Sequence, residues 1–151
     1  MLLESLLAYA HIAAILALVV FQTSEAALCR GEWINAAVVR RLVRVDVLYA
    51  VSALAVLATG VARTVWGMKG TEWYWSQPLL HAKVGAFVLI ALMSIIPTRM
   101  FVRWRRTLDA TGALPSGDEI QRARRWVMIE AHLLVLIPLA GTLLARGVAT
   151  R

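Results

Sequence analysis

Four long apolar blocks constrain what this chain of 151 residues can fold into. They cover approximately residues 5–28, 47–66, 78–101 and 127–145, and each is close to the ~20 residues that a helix needs to cross ~30 Å of hydrocarbon. With 60% hydrophobic residues, little sequence remains for a separate soluble domain. The pattern predicts an all-α fold: a four-helix transmembrane bundle that forms a single integral-membrane domain over residues 1–151.

The basic residues are distributed unevenly between the loops. Eleven of the 16 Lys and Arg residues lie around residues 30–44 and 99–125. Because cytoplasmic loops are enriched in Lys and Arg, both of these loops are expected to be cytoplasmic, with both termini on the outer, periplasmic side of a bacterial inner membrane. The first block lacks the features of a cleavable signal peptide, so we expect it to remain as the first transmembrane helix.

The partner expected from these charges is the bilayer. Basic loops beside a membrane face anionic lipid headgroups, so the net charge of +7 does not indicate a nucleic acid.

Three histidines, His11, His81 and His132, fall in three different apolar blocks. An ionisable side chain at membrane depth is costly and usually lines a buried site or a pathway, and imidazole is a common ligand of metals and haem iron. At 1.5 Å rise per residue, His11 and His81 lie roughly 9 and 5 Å below the outer surface, and His132 roughly 20 Å. This favours His11 and His81 as axial ligands of a haem b, with His132 the weaker candidate; structural hydrogen bonding and binding of another metal are the alternatives.

The surroundings of these histidines suit a flat macrocycle. Gly85 lies one turn below His81 and leaves room beside it. The chain has one cysteine, Cys29, and no Cys-x-x-Cys-His motif, so the haem would be held non-covalently. Three basic residues are expected to pair with the haem propionates: Lys83, Lys69 and Arg63.

One face of the first helix carries a stripe of residues at intervals of seven, four and three: His11, Leu18, Gln22 and Glu25. This spacing predicts a stripe facing the bundle, with Glu25 near the cytoplasmic headgroups.

Other polar residues lie in the later helices. Asp46 is expected at the N-terminus of the second helix, where a carboxylate is favourable. Glu130 is expected near the cytoplasmic end of the last helix, paired with Arg99 or Arg44. Small residues at helical spacing in the second helix indicate close helix packing: Ser52, Ala55, Thr59 and Ala62.

Three runs of sequence resemble an uncharacterised bacterial family of four-helix integral membrane proteins. They are Arg40–Tyr49, Ser94–Thr98 and Leu144–Gly147, and the similarity covers nearly the whole chain. It implies the fold but no activity.

A weaker resemblance is to the membrane-embedded, haem-containing class of protoporphyrinogen oxidase. Leu80–Val84 looks like the third-helix motif of that class, Ala10–Ile12 resembles its first-helix histidine implicated in haem b binding, and Glu130 falls where the class has a fourth-helix glutamate. The class also has a tryptophan and a Leu-Pro-Arg run, where this chain has Leu18–Ser24. The resemblance therefore implies a haem bundle more than a shared substrate.

These observations predict a membrane haem b protein that transfers electrons or oxidises a small redox substrate, with an unidentified redox partner. Two axial histidines would leave no open iron position, whereas one would permit ligand binding or catalysis. Four helices are few for enclosing a macrocycle, which favours a homodimer. Two alternatives are a non-catalytic subunit of a membrane complex with structural histidines, and a small proton-coupled transporter whose polar path contains Asp46, Lys83, Glu130 and His132.

Overall fold

The computed structural model describes residues 2–67 and 71–145, and every regular element within these ranges is helical. The all-helical class predicted from the sequence is therefore confirmed. The elements are α1 (Leu2–Leu28), a short 3-10 turn (Gly31–Trp33), α2 (Ala36–Trp66), α3 (Thr71–Trp75), α4 (Pro78–Thr111) and α5 (Gly117–Ala145).

Three of the helices are long and apolar enough to cross a membrane. The segments are Leu2–Leu28, Ala36–Trp66 and Leu80–Thr111, which belong to α1, α2 and α4. Within the described residues α5 is not among them, although its apolar stretch begins at Val127. The fold is thus that of a membrane protein with three candidate spans and a fourth long helix.

Local sequence signals explain where several helices begin and end. The side chain of Asn35 caps α2 by accepting a hydrogen bond of 3.0 Å from the N–H of Val38. Pro78 opens α4, where its missing N–H costs little. Gly112 ends α4 at a positive φ of 72°, and its N–H donates to the Leu108 carbonyl. Ser116 precedes α5, and its hydroxyl oxygen accepts a hydrogen bond of 3.4 Å from the N–H of Glu119 in the first turn.

The long helices form a bundle in which α1 packs against α2 and α5, and α4 packs against the same two helices. α1 and α4 therefore lie diagonally across the bundle. The short helix α3 contacts α2 and α4 where these two are connected.

Three helices extend beyond the apolar blocks at the end that carries the basic loops. α2 begins at residue 36 rather than 47, α4 ends at 111 rather than 101, and α5 begins at 117 rather than 127. They continue because apolar residues recur at helical spacing among the arginines and bury one face of each extension. These faces form the hydrophobic core, whose buried members are Cys29, Val39, Leu42, Val43, Met100, Phe101, Trp104, Leu108, Ile120, Ala123 and Val127.

The bundle has two unequal halves. The basic-loop half comprises residues 22–49 and 94–130, and the other described residues form the histidine half. The hydrophobic core lies entirely in the basic-loop half. In the described part of the histidine half, the buried apolar side chains are those of Ala14, Leu18 and Ile90. Most buried apolar surface of the protein is therefore on the side of the basic loops.

Candidate functional site

His11 is buried between α1 and α2 in the histidine half, with only 6% of its surface exposed. Its Nδ1 lies 2.8 Å from Oγ1 of Thr59, and this hydroxyl donates to the Ala55 carbonyl at 2.6 Å. The hydroxyl has one hydrogen, and the carbonyl can only accept. Thr59 therefore accepts from the Nδ1–H of His11, and when the imidazole is neutral this hydrogen leaves the lone pair on Nε2.

The surroundings of His11 combine close packing with positive charge. A Cβ added to Gly60 would lie 3.4 Å from Cε1 of His11, so the imidazole packs against α2 at Gly60. The half-buried Lys83 and Arg63 both interact electrostatically with His11. Two cationic side chains therefore lie near the buried imidazole at this end of the bundle.

His81 is not brought to His11. Its Nε2–H donates to the Trp75 carbonyl at 2.8 Å, and its exposed imidazole lies 5.8 Å from the Trp75 ring, centroid to centroid. Lys83 follows two residues later, a rotation of roughly 200° around a helix. Lys83 and His81 thus occupy opposite faces of α4. Of these two residues, it is Lys83 that interacts electrostatically with His11.

The remaining candidates have different environments. His132 is exposed, and its Nδ1–H donates to the carbonyl of Met128 one turn earlier, so this nitrogen is paired within α5. A Cβ added to Gly85 would meet nothing within 4 Å, which is the open space predicted beside α4. Lys69 lies outside the described residues.

Within the described part of the chain, no group of three or more His, Cys, Asp and Glu side chains is placed to hold a metal ion. A haem needs only one or two axial ligands from the protein, so this finding concerns directly ligated ions.

A second polar site lies in the basic-loop half. Glu25 of α1, Asp46 of α2 and Glu130 of α5 are each at most 4% exposed, and we call them the carboxylate cluster. They interact electrostatically with one another, and α4 contributes Thr98, whose hydroxyl donates to Oδ1 of Asp46 at 2.8 Å. Four helices thus meet at this site.

The structure corrects two expectations about these acids and confirms a third. Asp46 lies ten residues inside α2 rather than at its N-terminus, because the helix extends back to Ala36. Glu25 faces the bundle as its spacing predicts, three residues before the end of α1. Neither oxygen of Glu130 has a hydrogen-bond partner, and its expected partners, Arg99 and Arg44, are exposed to solvent or lipid instead.

The sequence did identify the side of α1 that carries both sites. His11, Leu18, Gln22 and Glu25 are all buried, as their spacing predicts. Thr59 was assigned to packing alone, but its hydroxyl also orients His11. The contact between Thr59 and His11 could not be predicted from the sequence, because the two residues are 48 positions apart and lie on different helices.

Comparison with known proteins gives a family. Residues 3–149 match the family model described as Predicted membrane protein (DUF2214). The chain belongs to this family. The match confirms the resemblance to an uncharacterised membrane protein family, and it supports a membrane location. No curated protein and no solved structure matches the chain. The similarity to the oxidase class stays a prediction.

The polar path predicted for a transporter is only partly assembled in this DUF2214 protein. Asp46 and Glu130 belong to the carboxylate cluster, whereas Lys83 acts on His11 in the other half and His132 is exposed. The four residues do not form one continuous group.

A groove of about 890 Å³ opens between α1 and α2 at the basic loops of the DUF2214 protein. Its walls combine apolar side chains such as Phe21 and Leu48 with three arginines, Arg40, Arg41 and Arg44. This combination of apolar and cationic surface suits the boundary between hydrocarbon and anionic lipid headgroups.

Proposed function

We propose that this DUF2214 protein binds haem b non-covalently in its histidine half, with His11 as an axial ligand, and that it transfers electrons or oxidises a small redox substrate. Bound haem would supply one-electron redox chemistry, at a potential that depends on the axial ligands and on burial. The protein's own contribution is to hold and orient the imidazole, to attract the propionates and to exclude water.

The observation that carries this proposal is the hydrogen-bond chain from His11 through Thr59 to Ala55. A histidine that ligates a metal commonly donates its second ring N–H to an oxygen acceptor, which fixes the tautomer and the ring orientation. In His11 the Nδ1 is directed to Thr59, and Nε2 is the ring nitrogen that we propose as the ligand. In His81 the Nε2–H is engaged by the Trp75 carbonyl.

The charges near His11 support an anionic cofactor. Lys83 and Arg63 interact with each other as well as with His11, so two like charges lie in the same half-buried region. Propionate groups would offset this repulsion through charge-assisted hydrogen bonds. The open space at Gly85 is on the same helix as Lys83.

We keep His81 as the second axial ligand in this proposal, under one of two conditions. Its imidazole would have to turn away from Trp75, or it would have to serve a haem shared with a second copy of the chain, since it lies on the outside of the bundle. Two axial histidines favour electron transfer. A single histidine leaves an iron position open for a small ligand or substrate.

We also propose that α5 is the fourth span and that both termini face the periplasm of a bacterial inner membrane. The proposal rests on the excess of basic residues in the loops that follow α1 and α4. An alkaline phosphatase domain fused to the C-terminus should be active, and a phosphatase inserted after Gly112 should not. The reverse activities would overturn this orientation.

Absorption spectra test the haem proposal directly. The protein would be expressed with added haem precursor, purified in mild detergent and measured in the oxidised and dithionite-reduced states, with a pyridine haemochrome assay. We expect b-type bands and about one haem per chain. A colourless protein would overturn the proposal.

Variants then assign the ligands. His11→Ala should lose haem, while His132→Ala, which changes an exposed histidine of α5, should retain it. His81→Ala should convert a low-spin six-coordinate iron to a high-spin five-coordinate one if His81 is the second ligand. An unchanged spectrum would leave His11 as the single ligand, and haem retained in His11→Ala would overturn the assignment of His11.

A further inference from the structure

The carboxylate cluster brings together three of the nine acidic residues of the chain and buries all three. Glu25 interacts electrostatically with both Asp46 and Glu130, and the buried Tyr49 of α2 interacts with all three carboxyl groups. Buried carboxylates that interact repel one another more strongly than in water, because like charges interact more strongly at low dielectric constant. Three ionised carboxylates are therefore unfavourable here unless a group neutralises them.

A basic side chain does not provide the neutralisation within the described residues. The ion pairs there join exposed side chains: Arg40 and Arg105 with Asp109, and Arg103 with Glu119. Arg124 is the arginine that reaches towards the end of α1, and its guanidinium donates to the carbonyls of Ala26 and Cys29. None of the cluster's carboxyl groups takes part in these contacts.

A second observation, independent of the acids, comes from Gln22. Its side chain is 3% exposed, and its Nε2 donates to the Val127 carbonyl at 2.9 Å, while Oε1 has no partner. Gln22 precedes Glu25 by three residues, and Val127 precedes Glu130 by three, so each pair shares a helix face. The amide of Gln22 therefore lies one turn from both glutamates, with an acceptor atom unpaired.

The unpaired atoms of the site are all acceptors. In the described residues five buried side-chain polar atoms lack a hydrogen-bond partner, and four of them are here: one oxygen each of Gln22 and Glu25 and both oxygens of Glu130. The fifth is Nε1 of Trp104, in the hydrophobic core. Buried polar groups are normally paired, and a protonated carboxyl group would supply the donor that these acceptors lack.

We propose that the carboxylate cluster is a proton-binding site, in which Glu25, Asp46 and Glu130 hold exchangeable protons between them. Each carboxylate takes one proton from the aqueous phase at the basic loops and becomes a carboxylic acid, and its release restores the carboxylate. A proton fits better than a metal ion, since no three metal-binding side chains of the described chain converge on one point. Protonation turns an acceptor oxygen of a carboxyl group into a donor. The acid hydrogen can then form a hydrogen bond with Oε1 of Gln22 or with an oxygen of a neighbouring carboxyl group.

The groups that face the cluster are known for each surrounding helix. α1 provides Gln22, α2 provides Tyr49, α4 provides Thr98 and α5 provides the carbonyl of Val127. Cys29, which follows α1, also interacts electrostatically with Glu25. Tyr49 and Cys29 can titrate only to anions, so none of these groups carries a positive charge that could neutralise the three acids. The cluster is about 14 residues, or roughly 21 Å, from His11 along α1, and the proposal does not depend on haem.

Infrared spectroscopy tests the proposal on the intact protein in lipid nanodiscs. At neutral pH we expect a carbonyl-stretching band of protonated carboxylic acids that shifts in heavy water and disappears in strong alkali. Its absence from the unmodified protein at neutral pH would overturn the proposal without any variant. A carboxylate signal that responds instead to added sodium or potassium would also overturn it, in favour of a cation site.

Variants assign the band to the cluster. Glu130→Gln and Glu25→Gln should each remove part of it, whereas Glu72→Gln, at an exposed acid of α3, should leave it unchanged. Size-exclusion elution and circular dichroism confirm that each variant is folded. A band that persists unaltered in both cluster variants would overturn the assignment. The band should be the same in His11→Ala, so a failure of the haem proposal and a failure of this one are distinguishable.

Discussion

The two halves of the bundle differ in what holds them together. In the basic-loop half, apolar side chains of α2, α4 and α5 pack against one another, and Val39, Phe101 and Val127 are fully buried. In the histidine half, large apolar side chains such as Leu16 and Leu54 point outward. One half has the interior of a water-soluble helical protein, and the other presents its apolar surface to hydrocarbon.

This difference separates stability from chemistry. Burial in the basic-loop half removes apolar surface from water, which is the main source of folding free energy there. Helices in hydrocarbon gain little from burying leucine, so the histidine half depends more on close packing and on hydrogen bonds such as that between His11 and Thr59. Substitutions in the two halves should therefore have different consequences.

The largest difference should appear at Cys29, which is fully buried in the hydrophobic core. Burial raises the pKa of its thiol to about 12, so at about pH 8 the thiol is both covered and protonated. Labelling by a maleimide needs the basic-loop half to open, and we expect it to be at least ~1,000-fold slower in the folded protein than in denaturant. Mass spectrometry gives the labelling rates of the folded and the denatured protein, and their ratio tests this expectation.

The buried Cys29 thiol also gives the unfolding of the basic-loop half a pH dependence of defined sign. Because the pKa of the folded thiol lies above that of the unfolded one, at ~8.5, unfolding becomes more favourable as the pH rises between these values. Moving the thiol to the exposed loop, with Cys29→Ala and Ala113→Cys, should restore rapid labelling. Rapid labelling of Cys29 itself would show that the basic-loop half opens readily.

Two leucines of α2 compare the halves in one helix. Leu42 is fully buried in the core, whereas Leu54 is 66% exposed in the histidine half. Leu42→Ala should lower the free energy of unfolding by about 2–5 kcal/mol, because it leaves a cavity, and Leu54→Ala by less than about 1 kcal/mol. Reversible denaturation in mixed micelles provides the values. Equal losses would contradict the division into two halves.

Thr59 tests how much the hydrogen bond to His11 contributes in the histidine half. Thr59→Val keeps the shape of the side chain but removes the acceptor for His11, so in the proposed haem site the affinity for haem should fall by about 10–100-fold while the protein stays folded. Thr59→Ser restores the hydroxyl and should retain most of the affinity. Haem titration followed by absorbance gives both constants. Equal affinities in the two variants would show that Thr59 serves packing alone.

The smallest effect is expected at the surface of the basic-loop half. The side chains of Arg103 and Glu119 form an ion pair of 2.6 Å between α4 and α5, and both are solvent-accessible. A double-mutant cycle with Arg103→Ala and Glu119→Ala should give a coupling energy of about 0.2–1 kcal/mol that decreases with salt. A coupling above about 2 kcal/mol would show that surface charges contribute more to this half than its core suggests.

Helical class and helix faces were the features best predicted from the sequence. The spacing of His11, Leu18, Gln22 and Glu25 was enough to identify the buried face of α1. The lengths of α2, α4 and α5 were underestimated, because hydropathy marks only the stretch suited to hydrocarbon. An amphipathic helix can continue into water without any break in its backbone hydrogen bonds.

The carboxylate cluster was missed as a unit, although two signals pointed to it. Asp46 continues a buried face at spacings of three and four, together with Val39, Leu42 and Tyr49. Glu130 does the same on α5, with Ala123 and Val127. The periodicity of each helix shows that its acid is buried, but the meeting of three acids depends on contacts between helices, which no single helix encodes.

The distribution of these acids over separate helices also has a consequence for biosynthesis. A helix entering the bilayer from the translocon meets a cost of roughly 2.5–3.5 kcal/mol for one ionised carboxylate at its centre. α1 and α2 combine their single buried acids with apolar stretches that qualify as spans. In the four-span arrangement proposed above, α5 would bring Glu130 as its single buried acid. Each inserting helix would therefore meet this cost once, whereas one helix with all three acids would meet it three times.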